Sequence, residues 1–239
     1  SVSSKMALYR HIPNTITSMN LLSGIMGVIF TLEGHIEWAL PMMILAAVFD
    51  FCDGLAARLL NAYSPIGKEL DSLADVVSFG VLPAIMLFKV QPEGAPVFLR
   101  YLPLFLGVMS AIRLAKFNVD ERQTLDFIGL PTPSCAMVCG SLAYFLHLGG
   151  GVPEGAGPWL VAGVAVVLGL LLVSEIPMFG MKIKKGHKLL DGKRITFLIL
   201  SAACILTVLI LHKNWSLAIL GVFSAYIIEN LIIALIPSK

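Results

Sequence analysis

The sequence predicts an all-α integral membrane protein, a polytopic helical bundle of about eight transmembrane helices, and three observations carry that prediction. Apolar residues make up 57% of the 239-residue chain and charged residues only 13%, against about 45–50% and about 25% in soluble globular proteins. Several nearly charge-free stretches run to about 20 residues, enough for a helix to cross a hydrocarbon layer roughly 30 Å thick. The runs are continuous rather than alternating, which excludes membrane β-barrel strands and leaves helices, whose backbones satisfy their own hydrogen bonds in lipid.

Taken in order, residues 2–12 mix Val2, Met6, Leu8, Tyr9 and Ile12 with Lys5, Arg10 and His11, a pattern that suits a short N-terminal helix on the inner interface. Pro13 marks the entry to the first span. Spans are expected at about 15–32, 37–60, 70–90, 99–117, 131–149, 158–181, 194–212 and 214–236. Outer connections are short: Glu33-Gly34-His35, the turn at 91–94, and the Gly-rich stretch 149–157. The inner connections, 61–69, 118–130 and 182–193, are longer and more polar, and function is sought there.

With the N-terminus inside, 14 of the 17 Lys and Arg residues fall on the inner side, so both termini are expected in the cytoplasm. The net charge of +2 gives no basis for nucleic-acid binding; the basic residues, six of them at 182–194, gather where anionic lipid headgroups sit. Cys52, Cys135, Cys139 and Cys204 all fall within spans and read as small packing residues rather than a disulfide framework. Glu175 and Glu229, acids in otherwise apolar spans, read as helix-packing or dimer contacts. No cleavable signal peptide is expected, because the first apolar run lacks a small-residue cleavage pattern.

One constellation carries chemistry. Asp50 and Asp53 close the second span, followed by Gly54 and Arg58; Gly67 then precedes Asp71, Ser72 and Asp75 at the start of the third. Acids at membrane depth are costly and mark function. Asp50 and Asp53 stand at i,i+3 and Asp71 and Asp75 at i,i+4, so an antiparallel hairpin brings four carboxylates together. Such carboxylates repel unless cations intervene, and oxygen-only ligands favour Mg2+ or Mn2+, which commonly act on phosphates. Gly54 and Gly67 are read as places where a phosphate or flat nucleotide approaches backbone, with Arg58 placed to fork onto a phosphate. An aspartate pair alone also suits a proton or sodium relay in a transporter.

The run fits Asp-x2-Asp-Gly-x2-Ala-Arg-x8-Gly-x3-Asp-x3-Asp with all eight specified positions filled by Asp50, Asp53, Gly54, Ala57, Arg58, Gly67, Asp71 and Asp75. It resembles the signature of the CDP-alcohol phosphotransferase family. Arg113-Leu114-Ala115-Lys116-Phe117-Asn118 and Phe127-Ile128-Gly129-Leu130-Pro131-Thr132-Pro133, together with Pro13-Asn14, Thr17 and Asn20, resemble segments of bacterial and archaeal phosphatidylserine synthases. The likeness covers roughly residues 10–140.

The resemblance implies a homodimer in the inner membrane with its active site facing the cytoplasm, and two divalent cations held by Asp50, Asp53, Asp71 and Asp75 against the donor diphosphate. It gives Asp75 the further role of general base toward a serine hydroxyl that attacks CDP-diacylglycerol, yielding phosphatidylserine and CMP. Candidates for the CDP end are Asn14, Thr17, Gly54, Arg58, Gly67 and Ser72. Candidates for L-serine are Arg113, Lys116 and Arg122 toward its carboxylate, and Asn118, Gln123 and carbonyls near Pro131 and Pro133 toward its ammonium. A single domain over 1–239 is expected, with the interfacial segment at 1–13, the catalytic core at 14–150 and additional transmembrane helices at 151–239. The same chemistry on glycerol 3-phosphate or inositol phosphate is the runner-up; it needs a denser basic cluster. Intramembrane prenyltransferases place their two Asp motifs far apart in sequence, unlike Asp50 to Asp75, and an ion-coupled transporter calls for repeats with broken helices, which the sequence lacks.

Overall fold

The computed structural model describes residues 9, 11–122, 127–180 and 191–236. The interfacial helix expected at 2–12, the acceptor candidate Gln123 and most of the basic stretch 182–194 lie largely or wholly outside them.

The chain opens with α1 (Ile12–Leu32), where Pro13 sits in the first turn and its missing N–H costs nothing. Helix α2 (Ile36–Leu59) ends where Asn61 takes a left-handed conformation, φ 49°, and the N–H of Ala62 closes back on the Ala57 carbonyl at 2.9 Å. Asn tolerates that conformation better than most residues, so it serves as the stop. Three residues later Ser64 caps the next helix: its Oγ accepts from the Gly67 N–H at 3.0 Å, with Pro65 at the first helical position.

That cap starts α3 (Pro65–Val90) five residues earlier than the expected span at 70–90, so Gly67 belongs to its first turn rather than to a preceding loop. Directly after Asp75 the helix widens into a π-helical stretch, Val76–Val81, before resuming at Leu82. Pro83 supplies a reason, since it lacks the N–H that the Phe79 carbonyl would otherwise accept.

Helix α4 (Val97–Val119) contains a short 3-10 turn at Leu102–Leu104. Helix α5 (Thr132–Leu148) and α6 (Gly157–Val173) follow, then α7 (Gly192–Ile210) and α8 (Ser216–Leu235). Six of these, α1 to α4, α7 and α8, are long and apolar enough to cross a membrane. The count of eight spans is not confirmed, because α5 and α6 have 17 residues each, about 25 Å of helix.

Helix α6 also stops short of the expected 181. Leu130 donates to the Leu171 carbonyl and Gly129 to the Ile176 carbonyl, and Pro177 holds Ile176 out of the helical region. The result is a two-residue antiparallel bridge, β1 (Phe127–Ile128) with β2 (Pro177–Met178), paired Phe127 to Met178 and Ile128 to Pro177. Gly129 has φ +79°, and a Cβ there would stand 2.7 Å from the Leu172 carbonyl oxygen, so the sharp approach requires glycine.

Helix α1 lies between α2 and α3, α5 bridges α3 and α8, α4 packs on α6 and on the π-helical stretch of α3, and α7 leans mainly on α8. Ile36, Leu40 and Met43 of α2 meet Phe79, Leu82 and Met86 of α3 and Cys135 and Cys139 of α5 in one core. All four cysteines are free thiols. Around this core large apolar side chains face outward, among them Leu59, Ile210 and Leu235, an arrangement suited to lipid rather than water.

Candidate active site

The turn at 60–64 folds α2 and α3 into a hairpin, and its two helices carry the aspartates. Ligand oxygens of Asp50, Asp53 and Asp71 all lie within 4.8 Å of one another. Three of the four expected carboxylates therefore form one group. Asp75, one turn farther along α3, is buried and bonded instead to α1: Nδ2 of Asn20 donates to its Oδ1 at 3.1 Å. Thr17 of α1 donates through Oγ1 to Oδ2 of Asp53 at 2.5 Å. Helix α1 thus braces both arms of the hairpin.

Beside the three aspartates a cleft of about 220 Å³ opens between α1, α2 and α3. Asn14 and Thr17 line it from α1, Asp53 and Gly54 from α2, and Gly67, Lys68 and Asp71 from α3. Four donor-site candidates, Asn14, Thr17, Gly54 and Gly67, are thus brought together. At Gly54 a Cβ would meet nothing within 4 Å, whereas at Gly67 it would stand 2.8 Å from Asn14 Oδ1. Gly54 leaves open space in the cleft; Gly67 lets Asn14 close on the capped helix start.

Ser72 and Arg58 are placed differently. Ser72 turns to α4, its Oγ accepting from Nδ2 of Asn118 at 2.9 Å, and Asn118 also offers its carbonyl to Lys68 Nζ at 2.8 Å. Asn118 is therefore tied to two α3 residues next to the aspartates. Arg58 is exposed at the end of α2 and donates to the Gly54 carbonyl at 3.1 Å. Lys68 belongs to none of the sequence's expected site residues, although its place three residues before Asp71 puts it on the same helix face.

The other basic candidates point elsewhere. Arg113 is buried, donates through Nε to the Leu130 carbonyl at 3.1 Å, and lies 5.4 Å over the Phe117 ring. It occupies one of the carbonyls near Pro131 expected to meet an acceptor ammonium. Lys116 and Arg122 both meet Glu175, at 4.0 and 3.2 Å, and Arg122 also pairs with Asp120 at 2.7 Å. The expectation for Glu175 is corrected: beyond the end of α6 it is an exposed ion-pair partner rather than a packing group. Arg122, bonded through Nε and Nη2, holds the Asp120 carboxyl down to about 2. Glu229 is buried in α8.

The donor set fits a hard divalent cation. Three carboxylates converge, and Oδ1 of Asp71 is buried without a hydrogen-bond partner among the described residues, an arrangement that a cation resolves.

The family model described as CDP-alcohol phosphatidyltransferase matches residues 10–174. The chain is similar to the CDP-diacylglycerol--serine O-phosphatidyltransferase of Bacillus subtilis (strain 168), 32% identical over 77% of this chain and 98% of that one. It is also similar to the protein of that name from Mycobacterium leprae (strain TN), 35% identical over 74% of this chain and 59% of the relative. The archaetidylserine synthase of Methanothermobacter thermautotrophicus is 31% identical over 69% of each chain. The matched region holds every residue of the cleft and its carboxylates, and the chain belongs to the CDP-alcohol phosphatidyltransferase family.

Proposed function

We propose that this protein transfers the phosphatidyl group of CDP-diacylglycerol to L-serine, releasing CMP. The observation that carries the reading is the meeting of Asp50, Asp53 and Asp71 beside a cleft lined by Asn14, Thr17, Gly54 and Gly67. The names of the relatives support serine as the acceptor.

Two divalent cations, Mg2+ or Mn2+, held by Asp50, Asp53 and Asp71, would neutralise the donor diphosphate and the charge left on CMP. The remaining work belongs to the chain's own groups. Thr17 fixes the carboxylate of Asp53, and Asn14, Gly54 and Gly67 receive the CDP end, with Lys68 and Arg58 near enough to α3 and α2 ends to turn toward a phosphate. Asp75, buried beside the cluster, takes the proton of the serine hydroxyl as that oxygen attacks the lipid-linked phosphorus and the bond to CMP breaks.

For the acceptor, Asn118 is the candidate best supported, being tied to Ser72 and Lys68 next to the aspartates. Lys116 and Arg122 would have to exchange Glu175 for the serine carboxylate, and Arg113 acts by holding the Leu130 carbonyl at the entry to α5. The protein works as a homodimer in the cytoplasmic membrane with the cleft on the basic, cytoplasmic side; 1–239 is one domain, with its catalytic core in 14–150.

Purified protein supplied with CDP-diacylglycerol and Mn2+ is expected to release CMP with serine and not with glycerol 3-phosphate or inositol phosphate. Release with either of the latter alone would keep the family chemistry and discard the serine assignment.

A further inference from the structure

Asp75 is held through one carboxylate oxygen by a short buried polar chain that runs to Asn20 of α1 and back to Ser78 of its own helix. Asn20 of α1 and Ser78 of α3 are both fully buried, at 0% exposure. Ser78 Oγ donates to Asn20 Oδ1 at 2.7 Å and lies 3.1 Å from the Asn20 carbonyl oxygen. With its Oδ1 taken by a hydroxyl donor, the Asn20 amide has one orientation left, Nδ2 toward Asp75 Oδ1, and that is the bond observed at 3.1 Å. Among the described residues no side chain donates to the other oxygen, Oδ2.

Two backbone features make the chain possible. One turn beyond Asn20, Gly24 faces Ser78 so closely that a Cβ there would collide with the serine side chain and backbone. A glycine at that point lets α1 approach α3 to hydrogen-bonding distance. Ser78 also stands in the π-helical stretch that begins right after Asp75, and such stretches re-aim side chains relative to a regular helix, often at functional sites.

We propose that Asn20 is a positioning residue for catalysis: it holds Oδ1 of Asp75, oriented in turn by Ser78, so that Oδ2 is the oxygen presented to the acceptor hydroxyl. The proposal rests on the reading of Asp75 as the proton-accepting group. A carboxylate free to rotate would present either oxygen, and small misplacements of a reacting group lower rates by up to about 10²-fold. Asn20 touches neither donor nor acceptor in this scheme, so its loss lowers kcat and leaves substrate binding alone.

The test is steady-state CMP release in detergent or proteoliposomes by wild type, Asn20→Ala, Asn20→Asp, Ser78→Ala and Asp75→Asn, with circular dichroism and unfolding midpoints on each. The expected result is a kcat lowered by about 10²-fold in Asn20→Ala, with KM for CDP-diacylglycerol and for serine within about threefold of wild type. Asn20→Asp keeps the shape but removes the donor and sets acid against acid, so its kcat falls at least as far. Ser78→Ala, which frees the Asn20 amide to flip, loses about 3–10-fold in kcat. A kcat within twofold of wild type in folded Asn20→Ala or Asn20→Asp overturns the proposal, as does a loss expressed in KM. If both Asn20 variants fail to fold, wild-type kcat in Ser78→Ala overturns it and the 3–10-fold loss supports it. Undiminished turnover in Asp75→Asn would instead overturn the general-base reading itself.

Discussion

A buried carboxylate such as Asp75, set against apolar core and held by one amide, has its chemistry determined by what replaces water around it. General acid–base groups contribute about 10²–10⁴-fold to rate, so Asp75→Asn is expected to lower kcat by that range while CDP still shifts the unfolding midpoint, as CMP release and a thermal-shift assay would show. The exposed pair at Asp120 behaves differently. Arg122 holds its carboxyl at about 2, below the ordinary value of about 3.9, so the stabilisation it lends is complete above the unfolded value and disappears only as pH falls through 2. Asp120→Asn should therefore leave the shape of the pH–rate profile between about pH 6 and 9 unchanged. The four aspartates were legible in the sequence because acids in apolar helices are conspicuous. Asn20 stood out only as part of the resemblance near the start, with no role attached, and Ser78 not at all, since a lone Asn or Ser in a span has many ordinary packing roles and its partner lies 58 residues away. The Glu175 ion pairs were hidden likewise, because the end of α6 is set by hydrogen bonds from Gly129 and Leu130 that no local pattern announces.

Helices here are placed by their ends and by their narrowest contacts. The Ser64 cap and the Asn61 turn fix the hairpin, and Gly67 sits where a Cβ would press on Asn14 Oδ1 at 2.8 Å. Gly67→Ala is expected to displace Asn14 into the cleft and raise KM for CDP-diacylglycerol about tenfold, measured against an unchanged unfolding midpoint. Gly129 plays a structural part at the β1–β2 bridge. With φ +79° and a carbonyl oxygen 2.7 Å from any added Cβ, Gly129→Ala should cost about 1–3 kcal/mol and lower the midpoint by about 2–10 °C. The hydrophobic runs placed α1, α2, α7 and α8 to within three residues at each end, because lipid-facing helices need only length and apolarity. The early start of α3 and its π-helical stretch come from capping and from Pro83, signals present in the sequence as Ser64-Pro65 and Pro83 but weak beside the hydropathy.

On the scale of the whole molecule, α7 is held differently from the other helices. Helices α2 to α6 and α8 share one continuous core, to which α8 adds Tyr226 and Ile227 and against which α1 packs Val28, whereas α7 is almost wholly exposed to its surroundings and leans on α8. The carboxylate group and the cleft beside it are built by α1, α2 and α3, so a chelator acts there: EDTA is expected to abolish CMP release and the stabilisation by CDP, and Mn2+ or Mg2+ to restore both, read by activity and thermal shift.

The bracing of the hairpin by α1 also bears on how the protein is made. During synthesis α1 enters the membrane ahead of α2 and α3, and their aspartates arrive after it. Thr17 and Asn20 are already there when Asp53 and Asp75 reach the bilayer, so each acid meets a waiting hydrogen-bond donor instead of lipid. The order of the helices along the chain thus works as an assembly schedule, in which the residues that brace the aspartates in the finished fold first serve as escorts for the charges that insertion would otherwise resist.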